Sequence, residues 1–305
     1  LHRDVARTLT LLATTEAKLG HLTRAIELST RATAIWNRSK EKDSRRAADA
    51  MVVHGTLEAS QGNYQDAQAS YDRALLILRT IVGPAHPSVA AAQVSLAEAF
   101  AMDGQAPEAL RLALEAEEID SGSMRLTLRY LSERQALGYA ARRTRGLDVA
   151  LSIGTRDDSP SSRVFDAVIH GRALVLDEMA GRHRGAVDSS PEARQLWTAL
   201  SAARQRLANL VVRGPAQLQP QQYLKLLDEA RRHKELAERA LADASAPFRE
   251  ELARARIGLD DVRTSLPPDS ALLSFVRYNR LALAPPSTVG PGRASSMGSY
   301  PTRTI

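Results

Sequence analysis

Cysteine is absent from this chain of 305 residues. That excludes disulfides, thiolate zinc sites and any cysteine nucleophile. Aromatic residues are scarce, with four Phe, two Trp and seven Tyr, which favours helix-rich packing over an all-β sandwich. No apolar run approaches the roughly 20 residues that cross a bilayer. Leu1–Ala13 lacks the build of a signal peptide, so a cytoplasmic setting is expected, and the opening at Leu1 reads as a cut inside a longer protein. Charge of one sign is not blocked either: 41 basic residues stand against 35 acidic ones, mostly interleaved as on solvated helix faces.

What is present is a repeat. Gly20, Gly62 and Gly104 are spaced 42 residues apart. Ala13, Gly55 and Ala97 keep the same step, as do Ala25, Ala67 and Ala109, and then Ala32, Ala74 and Ala116. A fixed period of this size marks stacked helical hairpins. In the middle copy, Ala48–Gln61 and Tyr64–Val82 both carry apolar residues at helical spacing. Gly62 suits a left-handed helix cap, and Gly83-Pro84-Ala85-His86-Pro87 breaks the chain before the next copy. The small columns give the two helices of a hairpin, and the next hairpin, room to approach. The period ends near Ile119. A further, off-period helical pair is expected at Leu126–Ala141 and Leu147–Ile153, then a helix over Val164–Arg182.

Past Ser190 the pattern changes to heptad-like seams on three helices. They run Leu196, Leu200, Ala203, Leu207 and Leu210, then Tyr223, Leu227, Ala230, Ala237 and Leu241 with Lys234 interrupting, then Leu252 to Leu266. These seams pair within the chain or between chains. Leu272–Tyr278 reads as a strand whose sheet partners are expected outside this sequence, because a lone strand is unstable. From Ala284 the chain turns to Pro, Ser, Gly and Arg and is expected to be disordered. The expected fold is all-α: a hairpin solenoid, long antiparallel helices, one C-terminal strand and a disordered tail. Its parts are 1–122, 123–190, 191–266, 267–283 and 284–305.

Chemical sites are thinly supported. None of the seven histidines stands with a partner at HExxH spacing, and none matches a zinc-ligand pattern. His54 reads as a half-buried packing residue and His86 as a turn residue. No Gly-x-Ser-x-Gly elbow appears, and Gly290-Pro291-Gly292 has neither the strand nor the helix of a phosphate loop. Glu115-Ala116-Glu117-Glu118 reads as a solvated acidic helix end. The basic stretches Arg38–Arg46 and Arg142–Arg145 lack aromatics for stacking bases, so no nucleic acid is expected.

The periodic residues resemble the tetratricopeptide repeat in a long form. The middle copy, Gly55…Gly62-Asn63-Tyr64…Ala67…Tyr71…Ala74, is the nearest to that pattern. The first has Ser29 where an aromatic is usual, and the third has Ala106 and Ala113 in place of large residues. The resemblance implies a concave surface lined by the first helix of each hairpin. Arg7, Thr10, Thr14, Lys18, Asp49, Val52, Thr56, Ser60, Glu98 and Met102 are the residues expected to face it. A peptide or protein partner is implied, with no cofactor, no metal and no membrane.

The order of parts is also similar to bacterial proteins of the CHAT family, in which such repeats precede a caspase-like peptidase domain. The carrying residues are Val168–Met179, Leu266-Pro267-Pro268-Asp269-Ser270-Ala271-Leu272 and Ser274–Tyr278. That family's catalytic histidine and cysteine lie downstream of the strand. Here no cysteine exists and no histidine follows His233, so no catalytic residue is carried over. Two functions therefore stand: an interaction scaffold that is not an enzyme, or the regulatory part of such a peptidase.

Overall fold

The repeat period becomes three helical hairpins in the computed structural model, which describes residues 3–128, 130–131, 133–141, 145–155, 162–171, 174, 191–254, 256–283 and 302–304. They are α1 (Arg3–Lys18) with α2 (Leu22–Arg38), α3 (Arg45–Ser60) with α4 (Tyr64–Val82), and α5 (Pro87–Met102) with α6 (Ala106–Leu128). Gly20, Gly62 and Gly104 end the first helix of each at φ +84, +85 and +82°. The N–H of the following residue, at His21, Asn63 and Gln105, donates five residues back to Glu16, Glu58 and Phe100, at 2.9, 3.1 and 2.8 Å. This 6→1 bond defines the Schellman motif, and a side chain is strained at the positive φ it requires.

All nine columnar small residues are buried. The variation among them follows the partner across the hairpin. A Cβ on Gly55 would meet the Tyr71 ring at 3.0 Å and the Ala67 carbonyl at 3.1 Å. The equivalent positions carry Ala13 opposite Ser29 and Ala97 opposite Ala113, where the facing side chain is small. Where the aromatic is missing in the first copy, His54 fills in: its Nδ1 lies 3.0 Å from the buried Ser29 hydroxyl, confirming it as a packing residue. Gly55→Ala is therefore expected to destabilise by about 1–3 kcal/mol through overpacking. Adding Tyr71→Ser recreates the first copy's pair. A double-mutant cycle in urea is expected to show coupling of about 1 kcal/mol or more, and strict additivity contradicts this account.

Beyond the third hairpin the structure departs from the sequence expectation. α6 runs on to Leu128, so Leu126 belongs to it and not to a new helix. Buried Met124 and Leu128 keep that extension packed. The short α7 (Glu133–Ala140) follows, but α8 (Gly146–Gly154) is the element stacked on α5 and α6. It fits because Gly146 has no side chain; a Cβ there would lie 2.9 Å from the Ala113 carbonyl. α9 (Ser162–Gly171) packs on α6 and α8, and the rest of the helix expected to Arg182 falls largely outside the described residues. Glu115–Glu118 is mid-helix, not a helix end, and Glu117 is 3% exposed, with the Ser121 hydroxyl donating to it at 2.8 Å.

α10 (Pro191–Arg213) and α11 (Pro220–Ala244) form the long antiparallel hairpin, joined through Gly214. The seams pair within the chain. Instead of leading away, the hairpin lies back on the repeats, with α10 against α6 and α11 against α4. Leu207, Val211, Tyr223 and Leu227 join the main core of α3–α6. Tyr223 donates to the Leu210 carbonyl at 3.1 Å, and His86 Nε2 donates to the Val211 carbonyl at 3.1 Å. His86 is thus more than a turn residue: it caps α5, accepting from Ser88 N–H, and ties the hairpin down.

The third seam is not one helix. It breaks into α12 (Ala246–Arg254) and α13 (Leu259–Ser265). Asp166 accepts from Leu259 N–H at 2.8 Å and His170 donates to the Ile257 carbonyl at 3.0 Å, docking the break onto α9. The strand β1 is only Arg277–Asn279, paired antiparallel with β2 (Thr302–Thr304) from the tail rather than with residues outside this sequence. Leu272, Leu273 and Phe275 are exposed, so extending the strand upstream would bury no apolar surface. The remaining tail lies outside the described residues.

Candidate functional site

The first helices of the hairpins, α1, α3 and α5, adjoin one another in order, and α8 continues the row. Their shared face is the candidate site. Arg7, Thr10, Thr14 and Lys18 lie on α1, Asp49, Val52, Thr56 and Ser60 on α3, and Glu98 and Met102 on α5. None belongs to the buried core; all are exposed or half-buried.

Hydroxyls dominate the face, and their protons are committed. Thr10 donates to the Ala6 carbonyl, Thr14 to Thr10, Thr56 to Val52 and Ser60 to Leu57, at 2.9, 3.0, 2.9 and 2.6 Å. A hydroxyl with its proton spent offers only lone pairs. These hydroxyls therefore accept hydrogen bonds more readily than they donate them, while Arg7 and Lys18 keep donors on the α1 part of the face. Tyr71, from α4 behind, donates to Thr56 Oγ1 at 3.0 Å. Burial pushes its phenol up to about 12, opposed by the Thr56 bond and aided by the Glu98 carboxylate.

Two carboxylates add charge. Burial raises the Asp49 carboxyl above its ordinary value, with Arg45 pulling the other way. Glu98 is raised by burial too, countered by Arg145 and reinforced by Asp148. Glu98 is not an open groove residue. Arg145 Nη2 reaches it at 2.8 Å, and Asn279 and Arg280 line the same small gap. Tyr71, Arg145, Asp148 and the 277–281 segment are the site residues the sequence reading missed. Tyr71 sat in the periodic pattern as a packing aromatic. The others lie past the end of the period, where no spacing marks them.

Part of the Arg38–Arg46 stretch is engaged within the molecule: Asp43 pairs with Arg73 at 2.8 Å and Glu41 with Arg3 at 2.8 Å. Among the described residues, no group of three or more His, Asp or Glu is arranged to hold a metal. No helix among them is long and apolar enough to cross a membrane.

The fold defines a helical-hairpin repeat protein. A family model described as the tetratricopeptide repeat matches residues 46–121, the second and third hairpins. No curated protein matches the chain. Two solved structures are similar in outline, a putative kinesin light chain with nearly identical tetratricopeptide-like repeats from Podosopora anserina and a single-substitution variant of it. Each is 19% identical with a TM-score of 0.41; the variant covers 78% and the parent 80% of this chain, and the match covers 99% of each of those chains. At that TM-score neither carries an argument about this protein.

Proposed function

We propose that the chain is a protein-interaction scaffold that binds a peptide or protein partner on the concave face of α1, α3 and α5, without a cofactor and without catalysis. The observation that supports this reading is the set of proton-committed hydroxyls Thr10, Thr14, Thr56 and Ser60 on α1 and α3, of which Thr14 and Thr56 hold the same position in successive repeats. The lone pairs left on these oxygens, one of Thr56 being taken by Tyr71, suit a partner rich in N–H donors, such as extended backbone or basic side chains. Asp49 supplies a negative charge in the same row, while Arg7 and Lys18 sit at the α1 end. The resemblance to a caspase-like peptidase architecture rests on Val168–Met179 and Leu266–Tyr278, and the fold adds nothing in its favour.

Peptides selected from a random library against the full chain test the reading. Asp49→Lys is expected to weaken the selected peptides about tenfold, or ~1.4 kcal/mol. Thr14→Val with Thr56→Val is expected to do the same, read by fluorescence anisotropy. Affinity unchanged in both variants sinks the assignment of this face. So does selection of peptides that bind elsewhere.

A further inference from the structure

The α8 end of the row is already occupied. The segment 277–283 meets it through two adjacent side chains and one backbone N–H. Tyr278, 5% exposed, places its hydroxyl 3.3 Å from Thr155 Oγ1. Asn279 Nδ2 donates to Asp148 Oδ2 at 3.1 Å, and the Leu281 backbone N–H donates to Ser152 Oγ at 2.8 Å. Ser152 is itself committed, donating to the Asp148 carbonyl at 2.7 Å, so its oxygen is an acceptor like those of Thr14 and Thr56. Leu281 and Leu283 pack against the main core. Arg280 lines a small gap with Glu98, Arg145 and Asp148, beside two carboxylates and one guanidinium. A basic segment with N–H donors, extended over 277–279 and turned at 281–283, is seated on acceptors, the chemistry the hydroxyls of α1 and α3 also offer.

We propose that the face shared by α5 and α8 is a binding site for an extended peptide of Tyr-Asn-Arg-Leu character, and that the chain's own 277–283 segment occupies it in cis as an exchangeable occupant. The proposal rests on reading the concave face as peptide-binding and assigns its α8 end a chemistry. Asp148 selects the amide at the second position, Ser152 holds the backbone at the fourth, and Glu98 with Asp148 favours a cation between them. The segment is tethered to the protein it binds, so it competes at a high effective concentration, millimolar for short flexible linkers. A peptide in trans gains entry only when the cis contacts are weakened.

The probe is a fluorescein-labelled peptide of residues 275–283, Phe-Val-Arg-Tyr-Asn-Arg-Leu-Ala-Leu, titrated into the full chain. The variant Tyr278→Ala, Asn279→Ala, Leu281→Ala releases the cis segment and is expected to bind the peptide at least tenfold more tightly than the unaltered chain. Adding Asp148→Ala is expected to reverse that gain, and a scrambled peptide is expected not to bind. Equal binding by released and unaltered chains, or indifference to Asp148, overturns the proposal. Should the triple variant lose its helical circular dichroism, hydrogen exchange of the unaltered chain decides. Protection of the Leu281 amide by at least tenfold over the free-peptide rate supports a bound segment, and exchange at that rate refutes it. Library peptides that depend on α1 and α3 while the 275–283 peptide fails would remove this proposal and leave the groove reading intact.

Discussion

Glu238→Ala is expected to lower the unfolding free energy by about 3 kcal/mol, the largest effect foreseen for any side chain outside the repeats. Glu238 on α11 accepts from Arg204 on α10 at 2.7 Å, and Arg204 is only 5% exposed. The guanidinium also stacks over Phe248 at 5.7 Å, whose ring meets Trp197 edge-on. Removing the carboxylate strands a buried cation, which costs more than the intact pair contributes. Lys234, at 2.8 Å on the other carboxylate oxygen, reaches solvent more easily and loses less. Replacing both partners, Arg204→Met with Glu238→Leu, is expected to recover most of the loss, because no charge is then left unpaired. Urea unfolding of the two variants checks this. A single variant as stable as the parent shows that Arg204 finds water in its place.

The second large effect is a fall of about 3 kcal/mol in stability between pH 7 and pH 4, traceable to His86. Burial foremost, helped by the Arg45 guanidinium and opposed by the bond to Val211, brings its pKa down from 6.5 to about 4. The geometry explains why the neutral ring is wanted. Nε2 carries the proton and donates to Val211, whereas Nδ1 must accept from Ser88 N–H to cap α5. A second proton at Nδ1 abolishes the cap. In the unfolded chain the histidine takes up its proton near the ordinary value, so from pH 6.5 to 4 the unfolded state binds more protons than the folded one. Stability is full above about pH 6.5, drops by ~1.4 kcal/mol per pH unit through that window, and levels below it. Asp49, Asp72 and Glu98 are raised and act in the opposite sense at lower pH. The contribution of His86 is therefore the difference between the parent and His86→Asn, which keeps a capping side chain without titrating. A variant with the same pH slope removes His86 as the cause. The His86→Asn variant, which lacks the Nε2 donor to Val211, is expected to release the α10–α11 hairpin first, which hydrogen exchange of the Tyr223 region reports.

The hairpins were legible because their determinants are local and recur. A left-handed cap needs glycine, a close helix crossing needs a small residue, and both needs return with each copy. That Thr14 and Thr56 occupy equivalent positions on α1 and α3 follows from the same phase, since facing direction along a helix is set by its spacing. Glu98 shows the boundary of that logic. Its phase placed it in the groove, but its surroundings come from Arg145 and the 277–283 segment, which no period connects to it. The fourth stack position went to α8 and not to the helix before it, because Gly146 lets α8 approach the α6 backbone closely. The strand expected over Leu272–Tyr278 shrank to its last residues because pairing and burial begin only at Arg277 and Tyr278.

By itself, then, the sequence determined the all-α class, the three hairpins, their caps and the direction each small column faces, since these depend on spacing within one helix turn or one repeat. Only the tertiary structure decided that the long hairpin folds back onto the loop at His86, that Glu117 and Arg204 are buried, and that Asn279 and Leu281 hydrogen-bond to α8. The ties from His86 to Val211 and from Asp148 to Asn279 each join residues far apart in the chain. Contacts at such separation depend on which surfaces are left apolar or unpaired after the local elements have formed, and no spacing along the chain records them.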